Sequence, residues 1–414
     1  MAQRVFWGCL IVVATVLLTR HVYVLGTNVT HSNVELIVDN PNYSLENADF
    51  PAVTICSNSK VMRSKLFQYL KGIRKDMPSN EKERFIHSVL AMDLMKYPFL
   101  HHPNLYMERF NNNLRYIPNE EIFDLFLTVR PNINEMISNC KWRGRMIKCR
   151  QLFRKQMTEE GFCYSFNSRT ADRSSDDLPR VPPEEKSDGT LECLRNNAAG
   201  RDSGLSFALK SLDTEIFKTN LQTRGYSIMV HNPNSYPEVS HKYLVFWKNF
   251  TVSRISVLVN MVRTDETFAR IAESARGCNM SITDPYICML RCRQREIYRQ
   301  CGCLPYYMYH FNRYAETCGI QHFKCLDINN KRFRNARVDG EHFNIPAWTA
   351  PMFMSCKCER PCSDTTYTTE YSFIPSEEVT GDITPTGRNK EPSQPRRSPV
   401  CPILRRKPNA AKPT

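Results

Sequence analysis

The sequence predicts an α+β membrane protein, with one N-terminal transmembrane helix and a large, disulfide-rich extracellular domain. Three observations carry this. A single apolar run, VFWGCLIVVATVLL, extends from Val5 to Leu18 and resumes at Val22–Leu25. Seventeen cysteines are present, ten of them between Cys278 and Cys362. Helical spacing over 60–130 gives way to β-type runs after 203. At 414 residues the chain is long enough to bury a large core.

Residues 5–25 span ~31 Å as a helix, about one hydrocarbon core. Residues 1–4 then make a short cytosolic start, and Arg20 and His21 lie near the far end, where long polar side chains snorkel to headgroups. A signal peptide, with Arg4 as its charged start and 5–18 as its apolar stretch, is the rival reading, although Leu25-Gly26-Thr27 is a weak cleavage site. Both readings place residues 26–374 outside the cytosol. Four glycosylation sequons, at Asn28, Asn42, Asn249 and Asn279, agree with that side. The formal charge is +14, of which the tail from Asp382 to Thr414 supplies +6. No aromatic-interleaved basic stripe is visible, so the lipid bilayer is the expected partner and nucleic acid is not.

Val34–Val38 reads as a strand, and Ala52–Cys56 as a buried one. LFQYLKGI and FIHSVLAMDLM carry apolar residues at helical spacing and predict amphipathic helices covering a sheet. Residues 168–202 are polar and loop-like. SGLSFAL (203–209), GYSIMVH (225–231), KYLVFW (242–247), VSRISVLVNMV (252–262) and YTTEYSFI (367–374) predict strands, and Ile287–Arg299 a helix. The tail from 382 holds seven prolines in 33 residues without periodicity, so residues 375–414 are expected to be disordered.

CMLRCRQREIYRQCGC (Cys288–Cys303) packs four cysteines into sixteen residues. Zinc knuckles and thioredoxin-type redox sites both use C-x-x-C, which this sequence lacks. In an oxidising compartment such thiols form disulfides. Cys288 and Cys292 share a helix face, ~6 Å apart along its axis. Cys356 and Cys358 share one side of an extended strand, ~6.7 Å apart. An antiparallel strand beside the helix matches them as rungs, Cys288–Cys358 and Cys292–Cys356. Extending outward pairs Cys278 with Cys362, and the remaining four nest as Cys301–Cys325 and Cys303–Cys318. Five bridges, each contributing on the order of 2–4 kcal/mol, are expected to hold this module largely without a core.

FPAVTIC (Phe50, Pro51, Ala52, Val53, Thr54, Ile55, Cys56), GFCYSFN (161–167), SGLSFAL and the nested cysteine order resemble the degenerin/epithelial sodium channel (DEG/ENaC) family. HNPNSYPEV (231–239) is similar to its insect-type, pickpocket-like branch, and the resemblance covers roughly residues 5–374. It implies a β-sheet palm, a helical finger and knuckle region over about 60–160, and a disulfide-laddered thumb over about 278–362. It also implies Cys56–Cys163 as the palm bridge and Cys140–Cys149 as the finger bridge. Cys9, Cys193 and Cys401 remain outside these pairs. The family assembles as homo- or heterotrimers around an amiloride-sensitive pore, with sodium ion as the permeant species and no cofactor. The implied function is a subunit of a ligand- or mechanically gated sodium channel in the plasma membrane.

The sequence departs from the family at three places. The cytosolic His-Gly gating motif does not precede the first helix. No apolar stretch of twenty residues follows Tyr371, so the second transmembrane helix, with its Gly/Ser-x-Ser filter, is missing. The aromatic before the first thumb cysteine is absent from AESARGC (272–278), while Tyr23 suits either that junction or the headgroup level. A chain of this kind is expected not to conduct alone. A truncated product is the first reading. A single-pass or secreted disulfide-rich ectodomain that modulates full-length subunits is the alternative. The thumb window is more basic than acidic, which argues against proton gating. An enzyme is not expected: GRDSGLS (200–206) lacks the partners of a serine protease site, and Ser203 reads as a turn residue.

Overall fold

The structure is a computed structural model that describes residues 2–31, 37–41, 43–73, 75–110, 113–172, 194–196, 198–200, 203–217, 224–239, 242–245, 252–271, 276–282, 284–311, 315–338 and 352–374. The chain divides into a large unit, Met1–Lys248 with Ile255–Tyr371, and a small one, Asn249–Arg254 with Ser372–Thr414. Of the small unit, Val252–Arg254 and Ser372–Ile374 are described, as strand ends. The tail expected to be disordered lies outside the described residues.

Helix α1 runs from Ala2 to His31, and its segment Gln3–Gly26 is long and apolar enough to cross a membrane. Thr15 and Thr19 donate their hydroxyls to the carbonyls of Ile11 (2.8 Å) and Thr15 (2.9 Å). Such back-bonding satisfies polar groups that lipid cannot. Of the strand expected over Val34–Val38, Ile37 and Val38 are described, and they form none. Both are about four-fifths exposed, and a strand with no neighbour leaves its backbone groups unpaired.

β1 (Ala52–Ser57) is the middle strand of an antiparallel sheet of order β4-β5-β1-β7-β8, with β4 Phe153–Thr158, β5 Gly161–Phe166, β7 Tyr226–His231 and β8 Lys242–Val245. A smaller sheet, β3-β2-β6, joins β2 (Ile137–Trp142), β3 (Arg145–Met146) and β6 (Leu205–Leu209), flanked by one-turn helices α6 (Ile133–Met136) and α7 (Cys149–Leu152). β9 (Val252–Val262) pairs with β12 (Asp364–Ile374), and β10 (Ala336–Val338) with β11 (Met354–Cys356).

The helices α2 (Arg63–Ile73), α3 (Ser79–Asp93), α4 (His102–Arg109) and α5 (Asn119–Val129) form a layer. Each turns an apolar stripe inward; in α5 the stripe is Ile122, Leu125, Phe126 and Val129. The disulfide module holds α8 (Pro285–Cys301), α9 (Phe323–Ile328) and α10 (Asn330–Arg334). The expectation that it stands largely without a core is corrected here. Leu290, Ile297, Tyr306, Tyr307, Phe323 and Phe333 are buried in the same cluster as Phe85, Leu66 and Phe126 of the helical layer. Phe126 stacks on Tyr306 at 4.4 Å. The module's apolar residues are too few to enclose a core alone, and the helical layer supplies the other half. A second cluster packs Phe50, Trp142, Phe166 and Ile55 between the two sheets, with Phe50 edge-on to Trp142 at 4.7 Å.

Across the middle of the main sheet runs a buried polar line. His231 bonds Thr54 Oγ1 through Nε2 (2.8 Å) and the Asn232 carbonyl through Nδ1 (2.9 Å), and Thr54 meets Ser165 Oγ at 2.5 Å. The carbonyl can only accept, so Nδ1 carries the proton, Thr54 donates to Nε2, and Ser165 donates to Thr54. A neutral imidazole satisfies every partner, and burial pulls the ring down to about 4. Between that value and the ordinary ~6.5 the unfolded chain binds the extra proton, so stability falls as pH drops through this window. Burial raises Asp93 and Asp284, whose contributions run the other way. The His231 effect is therefore read as a difference. Relative to His231→Gln, the wild-type chain is expected to lose ~3 kcal/mol of unfolding free energy between pH 7 and pH 4, at ~1.4 kcal/mol per pH unit, measured by denaturant unfolding in detergent.

Candidate functional site: the clamp between sheet and disulfide ladder

Helix α8 is built to be held. Asp284 caps its N-terminus, accepting from the Tyr286 amide at 2.9 Å, and Pro285 occupies the first turn without losing a needed donor. Gly302 ends it at φ 70°, the left-handed conformation glycine adopts freely. Bridges Cys288–Cys358 and Cys292–Cys356 tie its flank to the segment around β11. Cys301–Cys325 ties its end to α9, and Cys303–Cys318 and Cys278–Cys362 close the turns beyond it. Cys56–Cys163 links facing positions of β1 and β5, and Cys140–Cys149 links β2 to α7. Cα separations over these seven bridges run from 4.5 to 5.9 Å, the ordinary disulfide range.

Other residues singled out in the sequence fall as follows. Cys9 in α1 is unbridged, while Cys193 and Cys401 lie outside the described residues. Asn42, Asn249 and the side chain of Asn28 are likewise outside them. Asn279 sits beside the Cys278–Cys362 bridge. Its amide donates to Glu359 (2.7 Å) and its carbonyl accepts from the Ser281 hydroxyl (2.6 Å). Ser203 donates to the Gly200 carbonyl (2.9 Å) in the turn before β6.

The residues that join ladder to sheet escaped the sequence reading. α8 buries Leu290, Arg293, Gln294 and Ile297, an apolar stripe interrupted by a guanidinium. Arg293 pairs with Glu159, which is wholly buried in the tight turn between β4 and β5. The Tyr286 hydroxyl donates to the other Glu159 oxygen. Arg293 Nε donates to the Phe333 carbonyl (3.1 Å), and its guanidinium carbon lies 3.7 Å from the Tyr97 ring centroid. The Tyr97 amide in turn donates to the Glu159 carbonyl (3.0 Å). A second contact acts at the helix start, where Asp284 also accepts from the Tyr236 amide (2.7 Å) in the loop between β7 and β8. An arginine on the buried stripe, and Glu159-Glu160 between two strand patterns, were the available signals.

Electrostatics make the joint strong but brittle. Burial by itself would pull the Arg293 guanidinium down, yet Glu159 beside it holds it above its ordinary value. Burial, then the Glu159 charge, pushes Tyr286 well up, so it stays a neutral donor. The turn has no slack. Gly161 has φ 97°, and a Cβ there would collide with the Tyr306 hydroxyl.

Among the described residues, seven bridges staple an α/β body that follows a helix long and apolar enough to cross a membrane. The model of the amiloride-sensitive sodium channel family matches residues 1–398, and this chain belongs to that family. Similar proteins include Pickpocket protein 28 of Drosophila melanogaster, 24% identical over 359 residues, covering 78% of this chain and 55% of the relative. Sodium channel protein Nach of Drosophila virilis is 25% identical over 234 residues, covering 52% and 56%. Pickpocket protein 19 of Drosophila melanogaster is 20% identical over 392 residues, covering 88% and 71%. The chain spans a little over half the length of the first two.

Glu159→Gln strands a buried guanidinium without its counter-charge and is expected to cost about 3–5 kcal/mol. Glu159→Leu combined with Arg293→Met removes both charges and is expected to recover much of that loss, with a coupling of about 1–3 kcal/mol. Denaturant unfolding in detergent of the wild type, Glu159→Leu alone, Arg293→Met alone and the double variant reads this cycle. Additive losses would mean that the pair does not act as a unit.

Proposed function

We propose that this chain is a subunit of an amiloride-sensitive sodium channel in the plasma membrane, with the disulfide-bearing body outside the cytosol. In this reading the main sheet is the palm, the helical layer within about 60–160 belongs to the finger and knuckle, and the ladder of about 278–362 is the thumb. The observation that carries it is the clamp. Three bridges hold α8 along its length, and the Glu159–Arg293 pair sets its inner face on the sheet. A ligand or a mechanical load displacing the ladder then reaches the sheet as a rigid shift, because packed interiors transmit strain. The subunit works with two others, as a homo- or heterotrimer. Sodium is the species conducted, and no cofactor takes part.

Expression in oocytes together with a full-length family subunit tests this. Co-expression is expected to change the amplitude of the amiloride-sensitive sodium current, and the two chains to co-purify. An unchanged current with this chain at the cell surface would sink the subunit reading. A changed current without co-purification would favour the modulatory ectodomain.

Placement of the body is tested separately. Enzymatic deglycosylation of the full chain from insect cells is expected to lower its apparent mass. Replacing Asn28, Asn42, Asn249 and Asn279 by Gln should abolish that shift. A wild-type chain of unmodified mass would count against an extracellular body.

A further inference from the structure

Helix α8 has an outer face that the Glu159–Arg293 pair does not use. Its exposed residues are Arg291, Arg295, Tyr298 and Arg299, at i, i+4, i+7 and i+8. Successive arginines on such a line stand ~6 Å apart. Among the described residues, Arg291 and Arg295 have no ion-pair partner. The helix carries one carboxylate, Glu296, already shared between Arg299 (2.9 Å) and Arg332 of α10 (2.5 Å). That shared carboxylate joins the strip to α10, where Lys331 is also exposed. Like charges at i, i+4 weaken a helix, and among the described residues only Glu296, at Arg299, offsets them along this line.

We propose that this strip binds an extended sulfated polysaccharide. All three cations are arginines, whose planar fork matches sulfate oxygens two at a time. Tyr298, about half exposed between them, offers a flat apolar face and a hydroxyl suited to a sugar ring. Bridges through Cys288 and Cys292, three residues before Arg291 and Arg295, hold the helix beside the strip, so binding orders side chains and little else. The choice of polyanion rests on the reading that the body lies outside the cytosol. There nucleic acid is not the available polyanion, and anionic lipid is concentrated in the opposite leaflet.

The test uses the detergent-solubilised full chain on immobilised heparin. Arg291→Gln/Arg295→Gln/Arg299→Gln is expected to elute at lower salt than the wild type. The slope of log affinity against log salt should shrink by about 2–3, by analogy with counterion release at phosphates. Arg143→Gln/Arg145→Gln, at the exposed turn between β2 and β3, should elute with the wild type. Lysine at the three α8 positions keeps the charge and is expected to restore most retention, which separates lost charge from a disturbed helix. Unchanged elution of the glutamine variant would overturn the proposal and point to the basic tail. Polyglutamate displacing the chain as well as dextran sulfate would overturn it in favour of an acidic protein segment. Because binding is read in detergent, it is independent of placement. Retention without glycosylation would sink the extracellular reading, whereas glycosylation without strip-dependent retention would sink this proposal alone.

Discussion

The seating of helix α8 on the sheet depends on a buried charge pair. Glu159 and Arg293 are 134 residues apart in sequence, and both lie where an unpaired charge would be untenable. A buried ion pair rarely adds much net stability over a well-packed apolar substitute, because desolvation consumes most of the Coulomb gain. What it does is reject alternatives. Any rotation of α8 that separates the two charges leaves both stranded, so one register of helix against hairpin turn is selected. The Asp284 cap, the Tyr286 hydroxyl and the Tyr97 ring all become satisfied in that same register.

The bridges and the apolar core then divide the remaining work. Long-span bridges such as Cys278–Cys362 and Cys288–Cys358, 84 and 70 residues apart, restrict the unfolded chain. They do not orient the ladder against the rest of the body. Orientation comes from the core shared with the helical layer, where Phe126 meets Tyr306, and from polar ties such as Asn104 to Asp327 at 2.9 Å. The moving part, if the ladder moves, is therefore larger than the stapled segment, since sliding α8 or α9 alone would open the common core.

Helix α8 thus combines three kinds of chemistry. Its inner side is packed through Leu290, Arg293 and Ile297, and its outer side carries the crosslinks through Cys288 and Cys292 with a cationic, wet strip beside them. Arginine serves two of them for opposite reasons. Arg293 is useful because it remains charged when desolvated beside a carboxylate. Arg291 and Arg295 are useful because solvent leaves them free to meet an anion.

The sequence by itself determined whatever depends on neighbours within a few residues. The period of 3.6 in α3 and α5, the β-type runs of β1, β7 and β9, and the apolar length of α1 are local properties. So is the i, i+4 spacing that puts Cys288 and Cys292 on one face. Phe50–Cys56 was visible as a motif, but its partners Trp142 and Phe166 were not. The tertiary structure alone decided that Glu159 is buried, that Arg293 turns inward while Arg291 and Arg295 two residues to either side face solvent, and that the ladder shares a core with α2–α5. The physical reason is the same in each case. Burial of a charge or an aromatic ring is settled by groups brought together from distant parts of the chain, and a linear pattern carries no record of which distant groups those are.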